Sequence, residues 1–418
     1  MRKRNILKLI FITAVVLVST QAFGANNTTM DNFVEGNTTF CFDLYKNLNK
    51  TEGNLFISPQ SISTAVGMLY AGANGKTKDE ISSTLHFNPD QEAFFSGLKD
   101  INSRLNSLSD DGSVQLFIAN SLWVQKGNNF LSSYLELNDK YFNSELRSVD
   151  FFNNPHNAVS SVNKWVRNKT NNKIKEALKP ESLSALTELL LCNAIYFKGQ
   201  WLSQFDEKDT KESSFYLGPW KRIKVPMMNQ TNEFRYKDFR DFSAVQLPYL
   251  TGKKSHRSGN KLSMLIFLPE SKKGLPKFEK LLDQQNISQW IDELMNESVS
   301  LVKVRLPKLT TESEFELSKI LTDMGMPSAF NKDADFSGIF GKKDIFTNRI
   351  IHKTFLEINE EGTEAAAVTI VEEFTLGGGP SFPPKIIKFY VDHPFIFLII
   401  DNQTRNILFI GRITDPSK

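Results

Sequence analysis

The 418-residue sequence predicts an α+β protein. Three observations carry that prediction. Apolar residues recur at helical spacing in several stretches of the first half, alternating or continuous apolar runs mark strands from residue 114 onward, and the last hundred residues are dominated by strand signals. No repeat, long linker or low-complexity tract divides the chain, so one large domain is expected over 25–418, after a leader at 1–24.

Phe33, Phe40, Cys41, Leu44, Tyr45 and Leu48 fall on one helical face. Ser58 is a good N-cap and Pro59 a good first helical residue, and Ile62, Val66 and Leu69 continue the apolar stripe. Thr77-Lys78-Asp79-Glu80 predicts a capping box that opens a further short helix. Val114, Leu116, Ile118, Leu122 and Val124 alternate as a strand, and Val159, Val162 and Val166 mark a helix. Leu189 to Phe197 is apolar except for Asn193, which fits a strand covered on both faces and obliges Asn193 to be hydrogen-bonded. Leu262–Leu268 and Val299–Leu306 read as strands, Phe315–Met324 as a helix stopped by Gly325, and Pro394–Ile400 and Asn406–Ile413 as closing strands. The basic stretch Gly252–Lys261 reads as an exposed hairpin loop; glycosaminoglycan binding there is the alternative and is not expected.

Arg2, Lys3, Arg4 and Lys8, the apolar run Leu9–Val18 and Ala22-Phe23-Gly24 form a secretory signal with a small-x-small cleavage site. A signal anchor is the alternative, but the run is short for a bilayer. Cleavage removes four bases and no acid, taking the formal charge from +3 to −1, so no nucleic-acid footprint remains and no membrane contact is expected afterwards. The C-terminal DPSK carries no retention signal, which points to secretion. Asn26, Asn27, Asn37, Asn49, Asn168, Asn229, Asn286, Asn296 and Asn402 head glycosylation sequons. Cys41 and Cys192 are the only cysteines; the apolar setting of Cys192 favours a buried free thiol over a bridge between the two.

Enzyme signatures are missing: there is no G-x-S-x-G elbow, no H-E-x-x-H, no P-loop and no paired C-x-x-C. The five histidines lack metal-ligand spacing, and His352, beside Ile350-Ile351, reads as a satisfied core residue. No catalytic residue, metal or cofactor is expected. Gly377-Gly378-Gly379 leads into proline rather than a helix, so it is no phosphate cradle.

The unusual stretch is Glu357–Pro384. It begins as an alternating strand, passes through acidic Glu360-Glu361, Gly362 and the stretch Thr363-Glu364-Ala365-Ala366-Ala367, small apart from Glu364, then reaches the β-branched run Val368–Val371. Thr363 could cap a helix, while the Val-Thr-Ile-Val run favours extended structure, so two conformations compete for one segment.

NLFISPQSIS at 54–63, NAIYFKGQW at 193–201, LPKL at 306–309, IHKTFLEINEEGTEAAA at 351–367, FYVDHPFIFLI at 389–399 and ILFIGRITDP at 407–416 follow one another as in a serpin. The chain resembles that family over about residues 30–416. The resemblance implies three β-sheets, about nine helices and an exposed reactive-centre loop at about 360–388. It also implies no enzyme activity of its own, a monomer, and a serine protease as covalent partner. The loop is cut by the protease and inserts as a strand, a strain-release device that has general parallels. Period two from Thr363 gives an inward set of Thr363, Ala365, Ala367 and Thr369, all small enough for a packed sheet, with Gly362 as pivot. Neither proline, charge nor bulk interrupts that inward set, which favours an inhibitor over a non-inhibitory carrier or chaperone. Family spacing counted from Glu360 puts the reactive bond at Leu376–Gly377, with Phe374–Thr375 as the alternative register. Leucine there suits chymotrypsin-like or elastase-like proteases. Ser58, Ser61, Asn193 and His352 match the residues that hold the sheet closed, and Trp201 the aromatic residue where insertion begins. The 90–108 region offers only Lys99 and Arg104 as bases, so heparin activation is not inferred.

Overall fold

The structure is a computed structural model that describes residues 29–108, 113–218, 220–251, 260–343, 345–360 and 385–418. The leader, Asn26, Asn27, most of the 252–261 stretch, the hinge from Glu361 to Ala367 and both candidate reactive bonds lie outside the described residues.

Ten α-helices are described: α1 (29–48), α2 (Pro59–Gly72), α3 (Gly75–Thr84), α4 (Gln91–Leu108), α5 (Ser132–Tyr141), α6 (Pro155–Lys169), α7 (Leu275–Glu279), α8 (Gln284–Asn296), α9 (Ser318–Met324) and α10 (Ser337–Phe340). The strands, in chain order, are β1 (Leu55–Ile57), β2 (Val114–Gln125), β3 (Glu145–Val149), β4 (Leu189–Gly199), β5 (Lys211–Tyr216), β6 (Arg222–Asp238) and β7 (Phe242–Pro248). They continue with β8 (Leu262–Pro269), β9 (Val299–Pro307), β10 (Leu309–Glu316), β11 (Arg349–Ile358), β12 (Ile387–Tyr390), β13 (Phe395–Asp401) and β14 (Ile407–Ile413).

Five strands form one sheet in the order β10-β11-β4-β2-β3. The other nine run β1-β14-β13-β8-β7-β6-β9-β12, with β5 paired to β6. Strand β6 is long enough to serve two neighbours in succession: Met227–Arg235 pair with β9, and Tyr236–Asp238 with β7. The nine-stranded sheet is therefore two sheets joined through β6, which is how the three expected sheets are realised.

Apolar side chains make two cores. The larger joins α1, α2, α4 and the inner faces of both sheets; the smaller packs α6 and the segment after it against the opposite face of β2, β4 and β11. Cys41 lies in the first and Cys192 in the second, both as buried free thiols, and burial pushes the Cys192 thiol up to about 12.

Three expectations need correction. Phe315 and Glu316 close strand β10 rather than open a helix: Leu309, Thr311 and Ser313 of that strand are buried in alternation, and the helix begins only at Ser318. Gly325, at φ 130°, ends it as expected. Thr77 and Glu80 do not form a capping box, because α3 already starts at Gly75. Their side chains instead tie α3 to 328–335: Glu80 accepts from the Ser328 N–H and hydroxyl, and Thr77 from Asp335 N–H. Asn37 is only 3% exposed, and its amide donates to Asn406 Oδ1 and Ile407 O, which leaves no room for a glycan. Asn168 and Asn296 are exposed, while Asn49, Asn229, Asn286 and Asn402 are half-buried, the last three with amides already bonded to main-chain carbonyls.

Candidate functional site

Strands β4 and β11 are parallel neighbours at the centre of the five-stranded sheet, paired from Arg349↔Leu190 to Leu356↔Phe197. Strand β2 runs antiparallel on the far side of β4. One rung crosses all three strands: Asn120 opposite Asn193, and Asn193 opposite His352. Because the register is shared, three polar side chains point to the same face in a row.

Beneath that rung lies the start of α2. Ser58 caps the helix, its hydroxyl accepting from Ser61 N–H (3.2 Å) and donating to Leu408 O (2.7 Å). The Ser58 N–H donates to His352 Nε2 at 3.1 Å, which fixes the imidazole as the Nδ1–H tautomer. His352 Nδ1–H then donates to Asn193 Oδ1, while the Asn193 amide donates to Ser61 Oγ (2.6 Å) and Asn120 Oδ1. Ser58, Ser61, Asn193 and His352 are at most 1% exposed. Burial lowers the His352 pKa to about 3, so it stays neutral as the network requires. Each bond runs the right way in this one protonation state. The sequence singled out four of these residues together; Asn120 was missed, although an asparagine inside an apolar strand signals the same need for a partner.

The upper end of the seam is fastened separately. Trp201 Nε1 donates to Asn359 O (2.9 Å), and its ring stacks on Tyr249, 4.6 Å between centroids. Glu360, 4% exposed, accepts from Lys308 Nζ (2.7 Å) and Thr210 Oγ1 (2.8 Å). Burial disfavours its charge, yet Lys308, its own backbone and Thr210 together hold the carboxyl below the usual range. Glu360, the first of the expected hinge residues, is thus tied to the ends of β9 and β5 in the other sheet. Sequence reasoning did not foresee these partners, because both lie far from Glu360 in the chain.

On the outer face, Glu357 of β11 meets Lys198 of β4 at 3.5 Å and Lys173, from the segment after α6, at 4.0 Å. Lys173 also lies 5.5 Å from the Tyr196 ring centroid. This pair of contacts crosses the β4–β11 seam. The carboxylate is part-exposed, so the bridge contributes about 1 kcal/mol or less. Glu357→Gln is expected to speed annealing of a synthetic peptide of residues 363–374 into the sheet about threefold, read by native gel; an unchanged rate would show that the bridge does not restrain the seam.

The arrangement is a parallel β4–β11 pair with no covalent tie across it, closed by side chains at its middle and its upper end. A strand leaving the top of β11 and turning back would run antiparallel to both neighbours. Among the described residues no group of three or more histidine, cysteine or carboxylate side chains is placed to hold a metal ion, and no described helix is long and apolar enough to cross a membrane.

Residues 35–416 match the family model of serpins, serine protease inhibitors. A serpin-like protein of Thermococcus kodakarensis is 40% identical over 379 residues, covering 90% of this chain and 84% of that protein. The leukocyte elastase inhibitor of Xenopus laevis is 36% identical over 396 residues, 93% of this chain and all of that one. Among solved structures, maspin superposes with a TM-score of 0.81 at 30% identity over 93% of this chain and all of maspin. Serpin48 of the insect Tenebrio molitor superposes with a TM-score of 0.77 at 30% identity, over 92% of this chain and 98% of that one. With the sheet order, the buried His352 network and these matches in agreement, the chain belongs to the serpin family.

Proposed function

We propose that the protein is a secreted suicide inhibitor of serine proteases with chymotrypsin-like or elastase-like preference. The observation that carries this reading is the directly paired, parallel β4–β11 seam, from whose upper end the small-residue segment Thr363–Thr369 continues. Kinship with leukocyte elastase inhibitors supports the choice of target class.

The protease supplies the chemistry. Its serine Oγ attacks the carbonyl carbon of Leu376, the C–N bond to Gly377 breaks, the Gly377 amine leaves with the proton carried by the protease's histidine, and an ester joins protease to serpin. Residues from Thr363 onward then enter between β4 and β11. The attached protease is carried along and distorted before water can cleave the ester. Opening costs the β4–β11 ladder and the His352–Asn193 bond; the inserted strand returns two ladders for one, with small side chains that the packed sheet accepts. The closed sheet is therefore a metastable state, one of two packings open to the same chain.

The test is incubation with chymotrypsin, pancreatic elastase and trypsin in turn, read on denaturing gels with mass spectrometry of the released peptide. A denaturant-stable complex with the first or second and a peptide beginning at Gly377 is the expected result. A peptide beginning at Thr375 would move the register. Cleavage by all three without complex would place the protein among non-inhibitory carriers or chaperones.

A further inference from the structure

The outer face of the sheet formed by β5, β6, β9 and β12 carries charges that the fold leaves uncompensated. Lys303 of β9 and Lys388 of β12 are register partners on adjacent strands, so two ammonium groups stand side by side. Like charges placed directly opposite destabilise a sheet. Among the described residues no carboxylate pairs with either lysine, and Lys388 is exposed.

The next rung on the same face pairs Arg305 with Tyr390, the guanidinium 4.2 Å from the ring centroid. These two, with Tyr216 and Lys224 from the β5–β6 hairpin, line a cleft of about 280 Å³. Lys272 Nζ lies 3.0 Å from the Tyr216 ring centroid. Arg222, the register partner of Tyr216, extends the strip. Against the five cations Arg222, Lys224, Lys303, Arg305 and Lys388 stand three carboxylates: Glu212 and Asp392 at the cleft, and Glu233 further along β6. Asp392 is already engaged by His393 Nδ1 at 2.7 Å.

This surface lies between the two roots of the 361–384 segment. Glu360 is bonded beside the end of β9 through Lys308, while Lys385 leads into β12, whose first residue Ile387 pairs with Val302. Val302 and Lys308 are about 20 Å apart along the strand direction. A protease bound to that segment is thereby brought next to the strip.

We infer that the Lys303–Lys388 strip is a docking surface for an acidic patch on the target protease. The inference rests on the inhibitory reading and adds a selection rule to it: among proteases that accept Leu376, those with carboxylates beside the active-site cleft associate faster. The interleaved acids and the Tyr–Arg cleft favour a protein partner over a phosphate or sulfate polymer, since tyrosine and arginine are the residues enriched at protein interfaces. Charge complementarity of this kind acts mainly on the association rate and fades with salt.

The test compares active-site-titrated chymotrypsin with succinylated chymotrypsin, in which surface amines have become carboxylates. The readout is the second-order rate of loop cleavage in the full-length protein from 20 to 300 mM NaCl. Loop cleavage is followed whether or not the protease is trapped, so loss of trapping with the rate ratio intact would sink only the inhibitory reading. Wild type is expected to be cleaved about tenfold faster by the succinylated enzyme at low salt, with the advantage lost at high salt. Lys303→Ala/Lys388→Ala is expected to reduce that ratio to about twofold or less, and Lys303→Glu/Lys388→Glu to invert it. Equal ratios in wild type and both variants would overturn the docking surface. So would acceleration of the unmodified protease by dextran sulfate acting through the same lysines, which would make the strip a polyanion site.

Discussion

Thr363→Arg is expected to turn the protein from an inhibitor into a substrate: the loop is still cut, and the protease leaves unharmed. In the proposed insertion, period two from Thr363 turns this residue inward, so the arginine would have to enter the sheet between β4 and β11, where Leu356 and Ile358 are both at most 2% exposed. A charge buried there without a partner costs several kcal/mol. In the proposed mechanism, trapping is a race between insertion and hydrolysis of the ester. About 4 kcal/mol added to the insertion barrier slows that arm roughly a thousandfold, enough to lose the race nearly always. Glu364→Arg, one residue on and facing outward, is the control and should retain trapping. The measurement is the ratio of covalent complex to cleaved serpin on denaturing gels; a wild-type ratio for Thr363→Arg would refute insertion in this register.

The second large effect concerns His352. His352→Ala removes the acceptor of Ser58 N–H and the donor to Asn193 Oδ1, leaving both unpaired inside a packed layer, and opens a cavity. Together these cost about 2–4 kcal/mol. The loss falls on the seam itself, so the variant should melt earlier and anneal loop peptides faster.

The same residue sets a pH dependence. Its folded pKa of about 3 lies below the ordinary 6.5, so between those values the unfolded chain binds a proton that the fold excludes. The stabilisation is fully present above pH 6.5 and is lost as pH falls toward 3, amounting to about 2 kcal/mol by pH 5. The carboxyl of Glu360, held below its ordinary value, adds its own loss only at pH below about 4.5. Denaturation midpoints at pH 7 and 5 should therefore differ for wild type and much less for His352→Gln. An equal pH slope in both would remove the imidazole from the account.

Much of the architecture was legible because local signals agreed with tertiary context. Ser58-Pro59 announced α2, and the unbroken apolar run around Asn193 announced a central strand that needed a partner for its one amide. The errors arose where the two levels competed. Phe315 and Glu316 run without a turn signal into the helix that follows, and only their pairing with His352 and Ile351 of β11 reveals them as strand. Thr77 and Glu80 have capping-box spacing, but partners more than 240 residues away claim their oxygens. Likewise the anchors of Glu360 and Glu357 come from distant segments, and no spacing rule joins Lys308, Thr210 or Lys173 to the hinge. The Lys303–Lys388 juxtaposition follows from a parallel register that neither strand specifies alone.

The central claim is that the segment after β11 enters between β4 and β11. Amide hydrogen exchange of Leu189–Gly199 and Arg349–Ile358, measured before and after loop cleavage, tests it most directly. Insertion should leave these amides paired with a new central neighbour and slow their exchange by orders of magnitude, with matching protection appearing in residues 363–374. Unchanged exchange in both strands after complete cleavage, with the 363–374 amides exchanging freely, would contradict the account.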